Sequence, residues 1–203
     1  MTLSANRVAT PYERIHLEGK TFDARYKLLN GAVIPRPIAF VSTLNEDGSV
    51  NAAPFSSFMI ASVEAGLLAF SVGPSDRPKA TLLNIQRNRN YVINTVPEGL
   101  AQQVQLCGEA QPSGVDRFQL SGLTTVASEH VEAPRIAESK VQFECRLHSI
   151  LNFGQSHMVV GAIELMHAQA GIVRDGKIDP VNYDPLGRIA GRNYCTVRGL
   201  ISV

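Results

Sequence analysis

The apolar positions along this chain follow two rhythms, and the strand rhythm dominates. Ile38 to Leu44 is rich in β-branched and aromatic residues, and the chain returns through Val50 to Pro54. Between them, Asn45-Glu46-Asp47-Gly48 supplies a tight turn, because Gly48 can take a positive φ without a Cβ clash. Leu67 to Val72 is almost continuously apolar, which predicts a strand covered on both faces. Further strands are expected at 91–96, at 141–151 and 157–167 as a long hairpin around Asn152-Phe153-Gly154-Gln155, and at 170–173 and 177–181 around Asp175-Gly176. A last strand is expected at about 194–200. Helical spacing is confined to short pieces. Phe22 to Leu29 should end at Asn30-Gly31, with Gly31 as the terminating glycine. Pro78 to Arg89 buries Leu82, Leu83 and Ile85, with Pro78 in the first turn and Ser75 or Asp76 as cap. Glu98 to Cys107 places Leu100, Val104 and Cys107 at helical spacing. The stretch 108–122 reads as irregular, with a helical turn near 115–120.

Seven or eight strands that do not alternate regularly with helices argue against a doubly wound parallel sheet. A closed or nearly closed antiparallel barrel with peripheral short helices fits better. The 203 residues suit one domain, expected over 21–203 after an N-terminal arm at 1–20. A hydrophobic share of 44% is enough for a core. The net charge of +1 gives no global field for nucleic acid or an anionic membrane surface. No apolar run reaches the roughly 18 residues that a membrane helix needs, and the first twelve residues lack the apolar core of a signal peptide. The three cysteines, Cys107, Cys145 and Cys195, are widely spaced and odd in number, so a disulfide framework is not expected and a reducing cytoplasm fits.

Several standard sites can be set aside. Gly171-Ile-Val-Arg-Asp-Gly-Lys177 resembles a phosphate loop in spacing, but Ile178 stands where a hydroxyl residue is required and Asp175-Gly176 reads as a hairpin turn. The five histidines show no metal-ligand spacing, and no metal site is expected. Two segments carry more chemistry. The polar cluster Asn51, Ser56 and Ser57 next to Phe58, with Arg36 upstream, offers hydroxyls, an amide and a guanidinium at strand ends, which suits a planar, hydrogen-bonding, anionic ligand. Arg77-Pro-Lys79-Ala-Thr81 places two cations and a hydroxyl at a helix start, where free N–H groups and the positive dipole end favour phosphate.

The order Pro35-Arg-Pro-Ile38, Val41-Ser-Thr43, Asp47-Gly48, Asn51-Ala-Ala-Pro-Phe-Ser-Ser-Phe58 and Arg77-x-Lys79-x-Thr81-x-x-Asn84 resembles the flavin reductase-like, FMN-binding split-barrel family, and within it the flavoredoxin branch. Ser156-His-Met-Val-Val-Gly161 and Asp184-Pro-Leu-Gly-Arg188 with Tyr194 resemble later segments of that family. The resemblance spans about residues 26–200. It implies a six-stranded antiparallel split barrel, a homodimer, and FMN at or near the dimer interface. It implies Arg36, Thr43, Asn51, Ser56, Ser57 and Phe58 along the isoalloxazine and ribityl, and Arg77, Lys79 and Thr81 at the 5′-phosphate. Related reductases use a histidine near the flavin or nicotinamide, which points to His157. Ala80 departs from the aspartate common between the lysine and threonine of this motif. The implied activity is electron transfer from NAD(P)H through FMN to free flavin or another acceptor. The alternative is a flavin-binding electron carrier reduced by a redox partner protein, without direct nicotinamide chemistry.

Overall fold

The computed structural model describes residues 12–109 and 116–201. In chain order it shows α1 (Phe22–Ala32), β1 (Ala39–Leu44), β2 (Val50–Phe55), β3 (Phe58–Ser62), β4 (Leu67–Val72), α2 (Ala80–Asn88) and β5 (Asn90–Asn94). A 3-10 turn, Glu98–Leu100, leads into α3 (Ala101–Gly108), followed by α4 (Arg117–Ser121) and a small ribbon of β6 (Thr125–Val126) and β7 (Arg135–Ile136). The long hairpin is β8 (Val141–Phe153) and β9 (Ser156–Ala168). It is followed by β10 (Val173–Arg174), β11 (Lys177–Ile178), α5 (Pro180–Tyr183), β12 (Leu186–Arg188) and β13 (Tyr194–Thr196). Residues 12–20, within the expected arm, lie outside any helix or strand, and the rest of that arm falls mainly outside the described residues.

The main sheet is antiparallel and runs β2-β1-β5-β8-β9-β4-β3. It has seven strands rather than the expected six. The extra one is β3, which starts at Phe58 immediately after the polar break Ser56-Ser57 and pairs with β4 from Phe58↔Phe70. The sheet curls until its two edge strands join: β2 runs through Ser56-Ser57 straight into β3, Ser71 N–H on Ser57 O at 2.9 Å extends the β3–β4 ladder up to that break, and the Phe55 ring of β2 lies 5.0 Å from Phe70 of β4. This is a split barrel.

Strand β1 explains why its sequence is apolar throughout. Ala39 and Val41 face the barrel interior with Phe55, Phe70, Tyr91 and Ile93. Phe40, with Ile38 just before the strand, faces a second cluster with Val96, Leu100, Val104 and Ile136. Both sides are covered, so the period-2 alternation of a half-exposed strand is absent. Each of these large side chains contributes about 1.5–3 kcal/mol by leaving water. The β1–β2 turn forms as expected, with Gly48 at φ +81° and its N–H on Asn45 O at 3.1 Å.

Two helix boundaries differ from the sequence expectation. Helix α1 runs through Asn30-Gly31 to Ala32, because Asn30 Nδ2 bonds back to Tyr26 O and Val33 N–H closes on Leu29 O; Pro35 then restricts the chain to extended backbone. Helix α2 starts at Ala80, so Pro78 lies before it, and its N-cap is Lys79, which makes no side-chain cap bond. Ser75 Oγ donates instead to Arg77 O at 2.6 Å. Strands β10, β11 and β13 are shorter than the strands expected near them, and β12, which pairs with β13, was not expected.

Candidate functional site

Helix α2 is the element that organises the candidate site, and its two ends are built differently. Along its length it is locked to the β1–β2 hairpin by amides. Asn84 Nδ2 donates to Thr43 Oγ1 at 3.0 Å and to Asn45 Oδ1 at 2.8 Å. Asn51 Nδ2 donates to Thr43 Oγ1 at 3.1 Å and to Thr81 Oγ1 at 2.9 Å. Arg87 and Asn88 both donate to Leu44 O, at 3.0 and 2.8 Å. Thr43, Asn51 and Thr81, singled out from sequence as ligand contacts, are thus brought together and held by one another. Thr43 is 0% exposed, and both Asn51 donors are engaged within the protein. Asn84, one turn after Thr81 on the same face, is the organising residue that sequence reasoning quoted but did not place in the site; its i, i+3 spacing from Thr81 was the signal.

The N-terminal end of α2 is open. With Lys79 at the cap position and no side-chain cap, the Ala80 and Thr81 N–H groups have no acceptor among the described residues, while Leu82 N–H closes on Lys79 O at 3.0 Å. Lys79 is half-buried, its Nζ lies 5.8 Å from the Phe55 ring centroid, and among the described residues no carboxylate pairs with it. Burial lowers its pKa, since desolvation disfavours the ammonium. Arg77 is exposed and likewise has no ion-pair partner among the described residues. A groove of about 290 Å³ opens beside Lys79, with Gly73 and Pro74 on one side and Gln155 and His157 on the other. The structure therefore brings His157 to Lys79, through the β4–β9 register Val72↔His157. His157 Nδ1 meets Asn152 Oδ1 at 2.7 Å across the β8–β9 hairpin. An amide oxygen accepts there from Nδ1–H, which fixes the ring orientation against the hairpin.

The remaining expected residues lie past Phe55, at the other end of β2. Arg36 is 8% exposed and spends most of its donors on the protein. Its Nη1 donates to Asn30 O at 2.5 Å and Val33 O at 2.8 Å, Nη2 to Ile189 O at 2.7 Å, and Nε to Ser56 Oγ at 3.4 Å. It stitches the end of α1 and the 189–193 turn to Ser56. Ser56 lines a cleft of about 440 Å³ against α1 and α3, and Phe58 lines a smaller apolar one of about 220 Å³ beside Thr95 and Leu186. Ser57 is exposed.

Cys107 and Cys145 are buried, and burial pushes the Cys145 thiol up, away from thiolate chemistry. Among the described residues no group of three or more His, Cys, Asp or Glu could hold a metal ion, and no helix is long and apolar enough to cross a membrane.

A curled antiparallel sheet whose two edge strands join at Ser56-Ser57, with short helices around it, is a split barrel. The chain belongs to the flavin reductase-like domain family, whose model matches residues 31–186. An uncharacterised protein of Aquifex aeolicus is 36% identical over 180 residues, covering 87% of this chain and 92% of that one. Among solved structures, 2-nitrobenzoate 2-nitroreductase of Pseudomonas fluorescens is 32% identical, with a TM-score of 0.84 and coverage of 94% and 96%. Component B of nitrilotriacetate monooxygenase from Bacillus cereus is 25% identical, with a TM-score of 0.91 and coverage of 96% and 100%. Family and fold together make this a flavin-related oxidoreductase.

Proposed function

We propose that the protein is an FMN-dependent oxidoreductase that takes electrons from NAD(P)H and passes them to free flavin or another small acceptor. The observation that carries this is Lys79: a half-buried ammonium at a helix start without a side-chain cap, with no carboxylate paired to it among the described residues. A phosphate dianion fits that vacancy in charge and hydrogen bonding. Lys79 and Arg77 hold the phosphate, joined by the Thr81 hydroxyl, whose proton is still free to donate while its oxygen accepts from Asn51. Thr43 and Asn51 fix Thr81 and the helix start. Strand β2 runs from Asn51, beside Thr81, to its end at Phe55, and Ser56, Ser57 and Phe58 beyond it face the ring end while Arg36 positions Ser56.

The bound flavin supplies hydride and single-electron chemistry, so the chain itself needs little acid–base machinery. His157, its ring fixed by Asn152, orients the nicotinamide. A second copy of the chain completes the site. No residue of α1 is buried, yet it exposes Phe22, Tyr26 and Leu29, and the edge strand β3 exposes Met59 and Ile60. A homodimer covers such faces. Such a protein works in the cytoplasm. Titrating the protein with FMN while following flavin fluorescence tests the binding step, and absence of saturable quenching would overturn it. Stopped-flow mixing of the loaded protein with NADH and NADPH then separates direct nicotinamide oxidation from a flavoredoxin-like carrier reduced by a protein partner. Light scattering at tens of micromolar should report a dimer mass.

A further inference from the structure

The cleft at Ser56 contains a second cationic site that the phosphate reading does not use. Arg188, on β12, is bridged backbone to backbone with Arg36: Arg36 N–H donates to Arg188 O at 3.0 Å, and Arg188 N–H to Arg36 O at 2.8 Å. Two guanidiniums are thereby fixed side by side. They repel, and the Arg188 charge lowers the Arg36 pKa further after desolvation has already done so. Neither has a carboxylate partner among the described residues. The carboxylate lining the cleft, Asp23, is already paired with Lys27 at 2.6 Å.

Arg188 is held as a recognition side chain is held. Its guanidinium lies over the Tyr194 ring, 4.5 Å from the centroid. Nη1 donates to Gln105 Oε1 at 3.1 Å and to the Tyr194 hydroxyl, and Nη2 donates to Gly191 O. Tyr194 in turn donates to Gln105 Oε1 at 2.9 Å. Of the five guanidinium donors, the Nε–H and one Nη2–H are left without a partner among the described residues. A stacked, pre-oriented guanidinium with donors to spare suits a planar carboxylate. The same cleft is lined by the apolar side chains of Ile38, Pro54 and Val104 and by Gly108 and Gly191, which carry no side chain. The volume of about 440 Å³ suits a small organic ligand.

We propose that this cleft binds a planar aromatic carboxylate, with its acid group on Arg188 and its ring against Ile38 and Pro54, and that Ser56 joins it to the flavin site. Only the last link rests on the flavin reading; the cleft, its cations and its apolar wall do not. Arg188 acts here as a specificity residue, choosing acids among the aromatic molecules that reach the ring end.

The probe is benzoate, with benzamide as its uncharged counterpart of the same shape and inorganic phosphate as an anion without a ring. Isothermal calorimetry should show benzoate binding the protein with or without added FMN, at least tenfold more tightly than benzamide and phosphate. Arg188→Met should abolish that preference, and Arg188→Lys should recover only part of it, because an ammonium keeps the charge and loses the fork. Benzoate should also perturb the absorbance of bound FMN. Equal affinity for benzoate and benzamide in the unaltered protein overturns the proposal, even if both Arg188 variants fail to fold. Equal affinity for phosphate reduces the site to a general anion trap and also overturns it. Benzoate binding without any FMN binding would remove the flavin reading and leave the cleft standing; FMN binding without benzoate binding would do the reverse.

Discussion

Glu144 and Lys79 are both charged side chains withdrawn from water, and the fold treats them in opposite ways. Glu144, on β8, is 0% exposed and fully provided for. Its carboxylate accepts the backbone N–H groups of Glu129, His130 and Val131 at 2.9, 2.6 and 3.2 Å, and His167 Nε2 at 2.7 Å. Burial alone would raise its pKa, but the Glu129 and His130 N–H groups and the His167 ring outweigh that and hold it below the ordinary carboxylate value. Among the described residues Lys79 receives no such company, and burial lowers its pKa. A charge supplied with partners by the chain fastens a loop; a charge left without them is open to a partner from outside, which is the role proposed for Lys79. The Tyr91 hydroxyl marks the limit of that rule. It too is unpartnered, but it is sealed against Gly161 at the barrel centre where nothing can enter.

The largest expected effect is on ligand binding. Replacing both Arg77 and Lys79 with Ala should weaken FMN binding by about two to four orders of magnitude, since each charge-assisted bond is worth about 1.5–3 kcal/mol. The ligand-free melting temperature should hold or rise slightly, because the substitution removes a desolvated cation. Loss of fold with unchanged FMN affinity per folded molecule would reverse the roles assigned to the two regions.

Glu144→Gln should do the converse. It turns one of the two accepting oxygens into an NH2 that faces N–H donors in a buried cluster, and should cost about 2–4 kcal/mol in urea unfolding at neutral pH, with FMN affinity per folded molecule unchanged. The pH dependence has a definite sign. The folded carboxyl titrates below the unfolded one, so the stabilisation is present above about pH 4.5 and is lost as pH falls through the folded value. The unaltered protein should lose stability across that acid range, and the Gln variant should show a shallower slope. Gly161→Ala comes next: its methyl would overlap the Tyr91 hydroxyl, and the expected loss is about 1–3 kcal/mol. The smallest effect is Tyr91→Phe, which deletes a buried hydroxyl without a partner and should leave stability unchanged or raise it by up to about 1 kcal/mol. A clear loss would reveal a hidden partner for that oxygen.

Much of this contrast was legible in the sequence, but unevenly. The strands of the barrel, the Gly48 turn and the long hairpin follow from local pattern, because β-branched runs and turn residues act within a few positions. Strand β3 was missed because Ser56-Ser57 looks like an end; only the closing of the sheet, through Ser71 and Ser57, shows that the chain pairs again at once. The start of α2 was placed two residues early, since Pro78 resembles a first-turn proline and nothing local says that Lys79 takes the cap position. The cations at that start were legible as residue types. That Thr43 and Asn51 would be consumed in holding Thr81 and Asn84 was not, because those bonds join positions 30 to 41 residues apart. The Glu144 cradle and the Arg36–Arg188 pair carry no sequence signal at all; they exist only once β8 faces the 129–131 turn and β12 returns to Arg36.

The central claim is that Lys79 at the open start of α2 is the partner of a phosphate. Calorimetric titration of the protein and of Lys79→Ala with FMN and with riboflavin, which differ only in that phosphate, tests it directly. The account predicts that the unaltered protein binds FMN at least tenfold more tightly than riboflavin, and that Lys79→Ala narrows the gap by weakening FMN while leaving riboflavin almost unchanged. Equal affinity for the two flavins in the unaltered protein, or an equal loss for both in the variant, would contradict it.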